Sequence, residues 1–249
     1  MKVDKKDTRI ENEIKHGQHL KEKGAGEVWN WESPAGKIRW QRRVGMLTSH
    51  IQPQDRVLEL GCGTGYFTKE LIKTNAHIVA IDISDNLLNE AKSTIVAKNV
   101  EFLLENAYQM SFHDNIFDSV VGSSVLHHLD ISSALNEIHK VLKPGGTIYF
   151  TEPNMMNPQI ALQKNIPFIK KMAGDSPDET AFFRWNLRKK LVKYDFTQIS
   201  IEPFDFLHPA IPGKAINIVK SFGAIMENTP ILKEIAGSLY IKAKVTKDS

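Results

Sequence analysis

Short apolar segments alternate with amphipathic segments from residue 55 to residue 152. The apolar segments are rich in β-favouring residues and bounded by turn-forming residues, so they predict strands. The segments between them predict helices, because apolar residues recur at helical spacing, as Leu135, Ile138 and Leu142 do. This alternation is typical of a parallel sheet with helices on both faces. The predicted strands are RVLEL (56–60), HIVAID (77–82), VEFLLENA (100–107), FDSVVGSSVL (117–126) and GGTIYFTE (145–152).

Less regular sequence lies on both sides of this alternation. Before it, we predict one helix through Ile10 to Lys23 and another at about 37–50. After Glu152, a proline-containing stretch without a strand pattern predicts a lid rather than another sheet unit. A helix in AFFRWNLRKKLVKYDF and strands in QISIEPFDF and SLYIKAKV complete a doubly wound, mostly parallel α/β sheet of about seven strands. The predicted organisation is an N-terminal helical cap at 1–50 and one domain at 51–249, with lid insertions at about 153–183 and 207–236.

The composition is that of an average soluble domain. Apolar residues make up 41% and charged residues 24% of the 249 residues, and the net charge of +3 is too small to indicate a nucleic-acid partner. No apolar run approaches the roughly 20 residues that a membrane-spanning helix requires. The charged start MKVDKKDTRIENEIK lacks the apolar core of a signal peptide, so we expect a cytoplasmic protein without a membrane span. The single cysteine, Cys62, excludes an internal disulfide and a cysteine metal cluster.

Three glycines at alternate positions follow the first predicted strand in VLELGCGTGYFT (57–68). Glycine lets a ligand approach the backbone closely, so Gly61, Gly63 and Gly65 indicate a bound molecule. A phosphate-binding loop is excluded, because it needs a lysine and a hydroxyl residue after its last glycine, where this chain has an aromatic pair. A dinucleotide loop expects glycine or alanine at the position of Tyr66. That interpretation stays open, because Asp82 is placed where a ribose-binding acid belongs.

The order of four motifs resembles that of the class I S-adenosylmethionine-dependent methyltransferases. The resemblance covers about residues 55 to 152 and implies a Rossmann-like fold. It also implies S-adenosyl-L-methionine as the cofactor and methyl transfer to an O, N or C nucleophile of a small molecule by in-line displacement. The motifs are ELGCGTG, then AIDIS, then ENAYQMSF with FDSVVGSSVLHHLD, and then LKPGGTIYF.

The resemblance also implies roles for individual residues around the cofactor. Asp82 would accept hydrogen bonds from both ribose hydroxyls, which a carboxylate can do with its two oxygens. Ile83 would pack on the adenine, Asn106 would accept from its amino group, and the backbone N–H of Ala107 would face the ring. At the methionine half, the implied contacts are Glu59 near the ammonium, the loop residues Gly61, Cys62, Gly63 and Gly65, and the backbone of Ser123.

Catalytic candidates follow the fourth and fifth predicted strands. His128, in VLHHLD, could take a proton from a hydroxyl or ammonium, and a packing or capping role is the alternative. Glu152 and Asn154 could orient an acceptor group or serve the turn. Trp29 and Trp31 could wall the pocket or pack in the core. We predict no metal site, because adjacent residues on a helix or strand, such as the histidine pair at 127 and 128, do not face one point.

The sequence leaves the identity of the methyl acceptor open. The basic segment RWNLRKKLVK (184–193) is either a solvated helix face or a site for an acidic partner. Apolar residues of the lids could enclose an apolar, lipid-linked or sugar-linked small molecule, or form a homodimer contact. Two other function classes stay open, namely an NAD-dependent oxidoreductase and a non-catalytic module that binds S-adenosylmethionine.

Overall fold

The computed structural model describes residues 8–15, 17 and 30–247. The predictions for Trp29 and for a helix beyond residue 17 lie outside the described residues. The strands are β1 (Arg56–Leu60), β2 (His77–Asp82), β3 (Val100–Leu104), β4 (Phe117–Ser123), β5 (Leu142–Pro153), β6 (Phe196–Phe204) and β7 (Ser238–Val245). The helices are α1 (8–15), α2 (Pro34–Thr48), α3 (Thr68–Leu71), α4 (Asp85–Thr94), α5 (Ile131–Val141), α6 (Pro158–Asn165), α7 (Pro167–Met172), α8 (Arg184–Lys193) and α9 (Ile216–Asn228).

The seven strands form one sheet in the order β3-β2-β1-β4-β5-β7-β6. The pairs between β3, β2, β1, β4 and β5 are parallel, and β7 runs antiparallel to β5 and β6. The predicted doubly wound, mostly parallel sheet is therefore confirmed. The strand order reverses at β1, because β2 lies on one side of it and β4 on the other. In such sheets ligands bind outside the carboxyl ends of the strands at this point.

Both faces of the sheet are buried, as the apolar runs of the strands require. In β1, Leu58 and Leu60 belong to one hydrophobic cluster, whereas Val57 belongs to the cluster on the other side. Alternation therefore places Glu59 on the same side as Val57, in a strand whose last four residues are all buried. A carboxylate in that position is costly unless it serves a ligand or a partner.

Helix α2 begins before the predicted residue 37, and α4 follows a serine that does not cap it. Helix α2 begins at Pro34, because Ser33 accepts a hydrogen bond from the N–H of Gly36 at 2.9 Å and proline suits the first helical position. Ser84 directly precedes α4, but its side chain makes no capping hydrogen bond. Its backbone N–H is instead held by Asp82, whose Oδ1 accepts it at 2.8 Å.

The predicted lid segments contain α6 and α7 in the first and α9 in the second. Several of their apolar side chains point to solvent, since Phe168 and Ile218 are each 73% exposed and Phe222 is 63% exposed. The domain and lid boundaries stay predictions, as does a homodimer contact. Within the ranges that the structure describes, no helix is long and apolar enough to cross a membrane.

Candidate functional site

Three neighbouring cavities open at the carboxyl ends of β1, β2 and β4. We call them the Asp82 cavity, of about 160 Å³, the glycine-loop cavity, of about 90 Å³, and the lid cavity, of about 280 Å³. Ser124 lines all three, so they meet at the residue that follows β4. The Asp82 cavity is lined by Gly63, Asp82, Asn106, Ala107, Ser123 and His128 among others; the glycine-loop cavity by Trp31, Glu59, Cys62, Gly63, Tyr66 and Ser123; and the lid cavity by Trp31, Arg43, His127, His128, Lys164 and Glu179.

Glycine stands at the three loop positions for different physical reasons. Each has a positive φ, which other residues rarely adopt. A Cβ on Gly61 would lie 2.5 Å from Val125, and a Cβ on Gly65 would lie 2.4 Å from Ile95, so the fold itself requires these two. A Cβ on Gly63 would meet nothing within 4 Å, and Gly63 lines both the Asp82 and the glycine-loop cavity. Gly63 is therefore the glycine that leaves room for a ligand.

Asp82 fixes the loop and faces the cavity named after it. Its Oδ2 accepts from the backbone N–H of Gly63 at 2.8 Å, and its Oδ1 accepts from that of Ser84 at 2.8 Å. Burial raises the pKa of Asp82, and the backbone hydrogen bonds from Ser84 and Gly63 oppose that rise. Each carboxylate oxygen can accept more than one hydrogen bond. Asp82 therefore retains acceptor capacity for two hydroxyl groups of a ligand.

Glu59 is a buried carboxyl group beside the glycine loop. It is 1% exposed, and its Oε2 has no hydrogen-bond partner among the described residues. Burial raises the pKa of Glu59 to about 8, and the charge of Asp82 adds to the rise. A ligand ammonium in the glycine-loop cavity would compensate this group. Cys62 is also buried, and burial raises the pKa of its thiol well above the usual value, which makes a packing role fit better than a reactive one.

The structure brings the remaining cofactor candidates into the Asp82 cavity, where Ile83, Asn106, Ala107 and Ser123 all line the wall. The Oδ1 of Asn106 accepts the backbone N–H of Tyr108 at 2.9 Å, so part of its acceptor capacity serves a local turn. Their individual contacts with a cofactor stay predictions.

Glu152 and His127 form a buried pair beside the lid cavity. Glu152 is fully buried, and its Oε2 lies 2.7 Å from Nδ1 of His127. Its Oε1 accepts the backbone N–H groups of Val125 and Leu126 at 3.0 and 2.8 Å, and Oε2 accepts that of His127 at 3.3 Å. The four bonds run to the chain itself, and the predicted catalytic role of Glu152 stays a prediction. Asn154 similarly donates to backbone carbonyls, in agreement with the turn role.

Glu179 lies on the other side of His127. Its Oε1 is 3.3 Å from Nε2 of His127, and it also pairs with the buried Lys164 and accepts the N–H of Ser176. Burial alone would lower the pKa of His127, but the hydrogen bonds that its ring donates to Glu152 and Glu179 raise this pKa to about 9. Burial opposes ionisation of Glu179, but the hydrogen bond with His127 and the nearby cations hold the pKa of Glu179 well below its usual range.

His127 and His128 are neighbours in space, with ring centroids 4.2 Å apart. Together with Glu179 they place three ligand-type atoms within 4.8 Å of one another. The expectation that adjacent histidines do not face one point is wrong here, because Leu126–His128 is a short 3-10 helix rather than an α-helix or a strand. Lys164 supplies a positive charge to Glu179 within this cluster.

His128 lines both the Asp82 cavity and the lid cavity. Its Nδ1 lies 2.9 Å from Oε2 of Glu13 in α1, and Ser176 donates to Oε1 of Glu13 at 2.5 Å. Nη1 of Arg9 donates to the backbone carbonyl of His128 at 3.2 Å. These bonds connect α1 to the turn after β4 and to the first lid segment.

Sequence reasoning missed several residues of these cavities, of which Arg43, Ser124, Glu13 and Glu179 have the closest contacts. Arg43 had a signal, because it lies four residues before the buried Leu47, in the register of the core face of α2. Ser124 has a φ of 58° directly after β4, which the sequence does not reveal. Glu13 and Glu179 had no local signal, because their partners lie far away along the chain.

Comparisons with known proteins agree with this geometry. Residues 58–150 match a family model described as a methyltransferase domain. A demethylmenaquinone methyltransferase of Staphylococcus epidermidis is 31% identical over 154 residues, which is 56% of this chain and 63% of that protein. Phosphoethanolamine N-methyltransferase 2 of Haemonchus contortus, solved with S-adenosylhomocysteine, has a TM-score of 0.62 at 17% identity and covers 88% of this chain and 57% of its own. The cyclase SpnF has a TM-score of 0.60 at 20% identity, covering 84% and 82%.

The fold and the site thus define a class I methyltransferase architecture. The predicted resemblance is confirmed: residues 58–150 match a methyltransferase domain, and the predicted cofactor class is confirmed with it. The chain spans about 63% of the length of the curated relative named above.

Proposed function

We propose that this protein transfers a methyl group from S-adenosylmethionine to a small polar molecule bound in the lid cavity. The observation that carries the proposal is the meeting of the three cavities at Ser124. One cavity offers Asp82 for ribose hydroxyls, the second offers Gly63 and Glu59 for the methionine half, and the third leaves room for an acceptor. A methyl donor and its acceptor would therefore meet beside Ser124, and both would be oriented before reaction.

The residues present fit the cofactor. Asp82 keeps acceptor capacity toward its cavity, Glu59 is a buried carboxyl group without a partner for Oε2 among the described residues, and Gly63 leaves its side-chain space open. When bound, S-adenosylmethionine supplies a methyl group whose carbon–sulfur bond breaks toward sulfur as the acceptor's electron pair forms the new bond. The chain then has to align the acceptor, exclude water and remove the acceptor's proton where there is one.

The lid cavity favours a polar acceptor among the predicted classes. Its wall is formed mainly by polar and charged side chains, including Arg39, Gln163 and Asp175. The apolar residues of the lids contribute little to it, since Phe168 and Phe222 face solvent. The relative from Staphylococcus epidermidis is named a demethylmenaquinone methyltransferase. The charged wall supports a more polar molecule in this chain.

Two measurements test the proposed function. Isothermal titration calorimetry is expected to show binding of S-adenosylhomocysteine and no binding of NAD⁺ at the same concentrations. Incubation with methyl-labelled S-adenosylmethionine and a fractionated metabolite extract is expected to give a labelled small molecule, which mass spectrometry identifies. Tight NAD⁺ binding without S-adenosylhomocysteine binding would favour the oxidoreductase. Binding without label transfer to any fraction would favour a non-catalytic module that binds S-adenosylmethionine.

His128 is the proposed base, and its replacement gives a separate prediction. It borders both the nucleoside side and the acceptor side of the site, and Glu13 lies 2.9 Å from Nδ1, which would orient the ring. For His128→Gln we expect kcat to fall by about 10²-fold or more, as loss of a general base does, with the Kd for S-adenosylhomocysteine nearly unchanged. An unaltered kcat across pH 6 to 9 would return His128 to a purely structural role.

A further inference from the structure

Helix α2 carries three arginines, which differ in whether they form an ion pair. Arg39 lies 2.6 Å from Asp205, and Arg42 forms two hydrogen bonds with Glu227 at 2.7 and 2.6 Å. Arg43 is 4% exposed, yet no carboxylate of the described residues forms a salt bridge with it. The arginine with the least access to water is therefore the one without an ion pair.

The hydrogen bonds of Arg43 run to hydroxyl groups, whereas the carboxylates of Asp205 and Glu152 act on its charge only from beyond salt-bridge distance. Nη1 donates to Oγ of Ser124 at 2.8 Å, Nη2 donates to Oγ of Ser238 at 2.9 Å, and Nε has no hydrogen-bond partner among the described residues. The ring of Trp31 lies 5.2 Å from the guanidinium carbon. Burying a charge without a direct ion pair is costly. An arginine fixed in this way is prepared to receive an anionic group.

The position of Arg43 indicates which molecule supplies that group. Arg43 lines the lid cavity and neither of the other two, and both of its hydroxyl partners, Ser124 and Ser238, line the same cavity. The other charged side chains of this wall are already paired: Arg39 with Asp205, and Lys164 with the carboxylates of the cluster. Ser124 also marks the point where the three cavities meet. An anion bound by Arg43 would thus belong to the acceptor and lie close to the transfer position.

We propose that the methyl acceptor carries an anionic oxygen, as a carboxylate or an acidic hydroxyl group does, and that the Arg43 guanidinium binds it. This inference rests on the proposed function. It specifies the substrate class: an acidic small molecule. Arginine suits this task because its planar fork donates two parallel hydrogen bonds to two oxygens.

The test uses matched probes that differ in charge. Benzoate and benzamide, and phenylacetate and phenylacetamide, are titrated into the full-length protein saturated with S-adenosylhomocysteine, with binding followed by ligand-observed NMR and calorimetry. We expect the carboxylates to bind about tenfold more tightly than the amides, because a charged hydrogen bond replaces a neutral one. Arg43→Gln is expected to remove this preference and to leave the Kd for S-adenosylhomocysteine within about twofold.

Two further variants control for loss of the positive charge at position 43 and for loss of a neighbouring arginine. Arg43→Lys retains a positive charge for the fold and is expected to keep only part of the preference, since the two-pronged geometry is lost. Arg42→Gln, which removes a neighbouring arginine outside the lid cavity, is expected to bind all probes as the unaltered protein does.

The outcomes separate this inference from the proposed function. Weaker S-adenosylhomocysteine binding in Arg43→Gln would overturn the inference by assigning the guanidinium to the cofactor's carboxylate. Equal binding of carboxylates and amides by the unaltered protein would also overturn it, while S-adenosylhomocysteine binding would leave the proposed function in place. Absence of S-adenosylhomocysteine binding would overturn the proposed function itself.

Discussion

Replacement of Asp82 by alanine is expected to raise the Kd for S-adenosylhomocysteine at least tenfold, as measured by isothermal titration calorimetry. A hydrogen bond to a charged acceptor contributes about 1.5–3 kcal/mol, and about 1.4 kcal/mol corresponds to a factor of ten in affinity. The ribose hydroxyls would lose that acceptor. The N–H groups of Gly63 and Ser84 would lose theirs as well, so the loop that faces the methionine half would be held less firmly.

Two companion variants separate these effects. Asp82→Asn keeps one acceptor oxygen but introduces an NH₂ group that faces donors, so an intermediate loss is expected. Asp85→Ala removes the next carboxylate along the chain, which is exposed and bonded to Asn89 at 2.8 Å. It is expected to leave the Kd unchanged. An unaltered Kd in Asp82→Ala with a normal unfolding curve would remove Asp82 from the binding site.

The position of Asp82 beside the glycine loop could be predicted from the sequence because it follows from a local rule. It ends a buried strand beside the strand that carries the glycine loop, and the carboxyl ends of neighbouring parallel strands lie at the same edge. The same rule placed Ser123 and the turn with His127 and His128 near the site. The fold class and several of the residues that line the Asp82 cavity were therefore predictable from patterns that each occupy a few residues.

The acceptor side was not predictable by such rules. Glu179 meets His127 and Lys164, and Glu13 meets His128, through contacts between segments that no periodicity connects. The 3-10 helix after β4 also brings the side chains of His127 and His128 together, which the sequence pattern did not predict. The apolar residues of the lid sequences left an apolar enclosure and a homodimer contact both open, whereas the side chains that line the lid cavity are mainly polar. Only the three-dimensional arrangement distinguishes a lid residue that faces the cavity from one that faces solvent.

Replacement of Glu152 is expected to have the second large effect, which is on the stability of the fold rather than on ligand binding. It is fully buried and holds three backbone N–H groups and the His127 ring. We propose that it positions the turn after β4 instead of contacting the acceptor. Glu152→Ala would leave the N–H donors without an acceptor and would remove the nearer of the two carboxylates that contact the buried His127. The free energy of unfolding is expected to fall by about 3–5 kcal/mol, the usual cost of removing one member of a buried ion pair, as measured by urea denaturation.

The pH dependence of stability tests whether loss of the Glu152–His127 pair causes this fall in the free energy of unfolding. The pKa of His127 is raised from 6.5 to about 9 in the folded protein. Its contribution is therefore fully present below about pH 6.5 and is lost as the pH rises through about 9. Glu152→Ala is expected to flatten this part of the unfolding profile. Glu202→Ala, which removes an exposed carboxylate 3.5 Å from Lys233, is the control and is expected to change the free energy by no more than about 0.5 kcal/mol. Unaltered stability of Glu152→Ala with lost turnover would instead indicate that Glu152 contacts the acceptor directly.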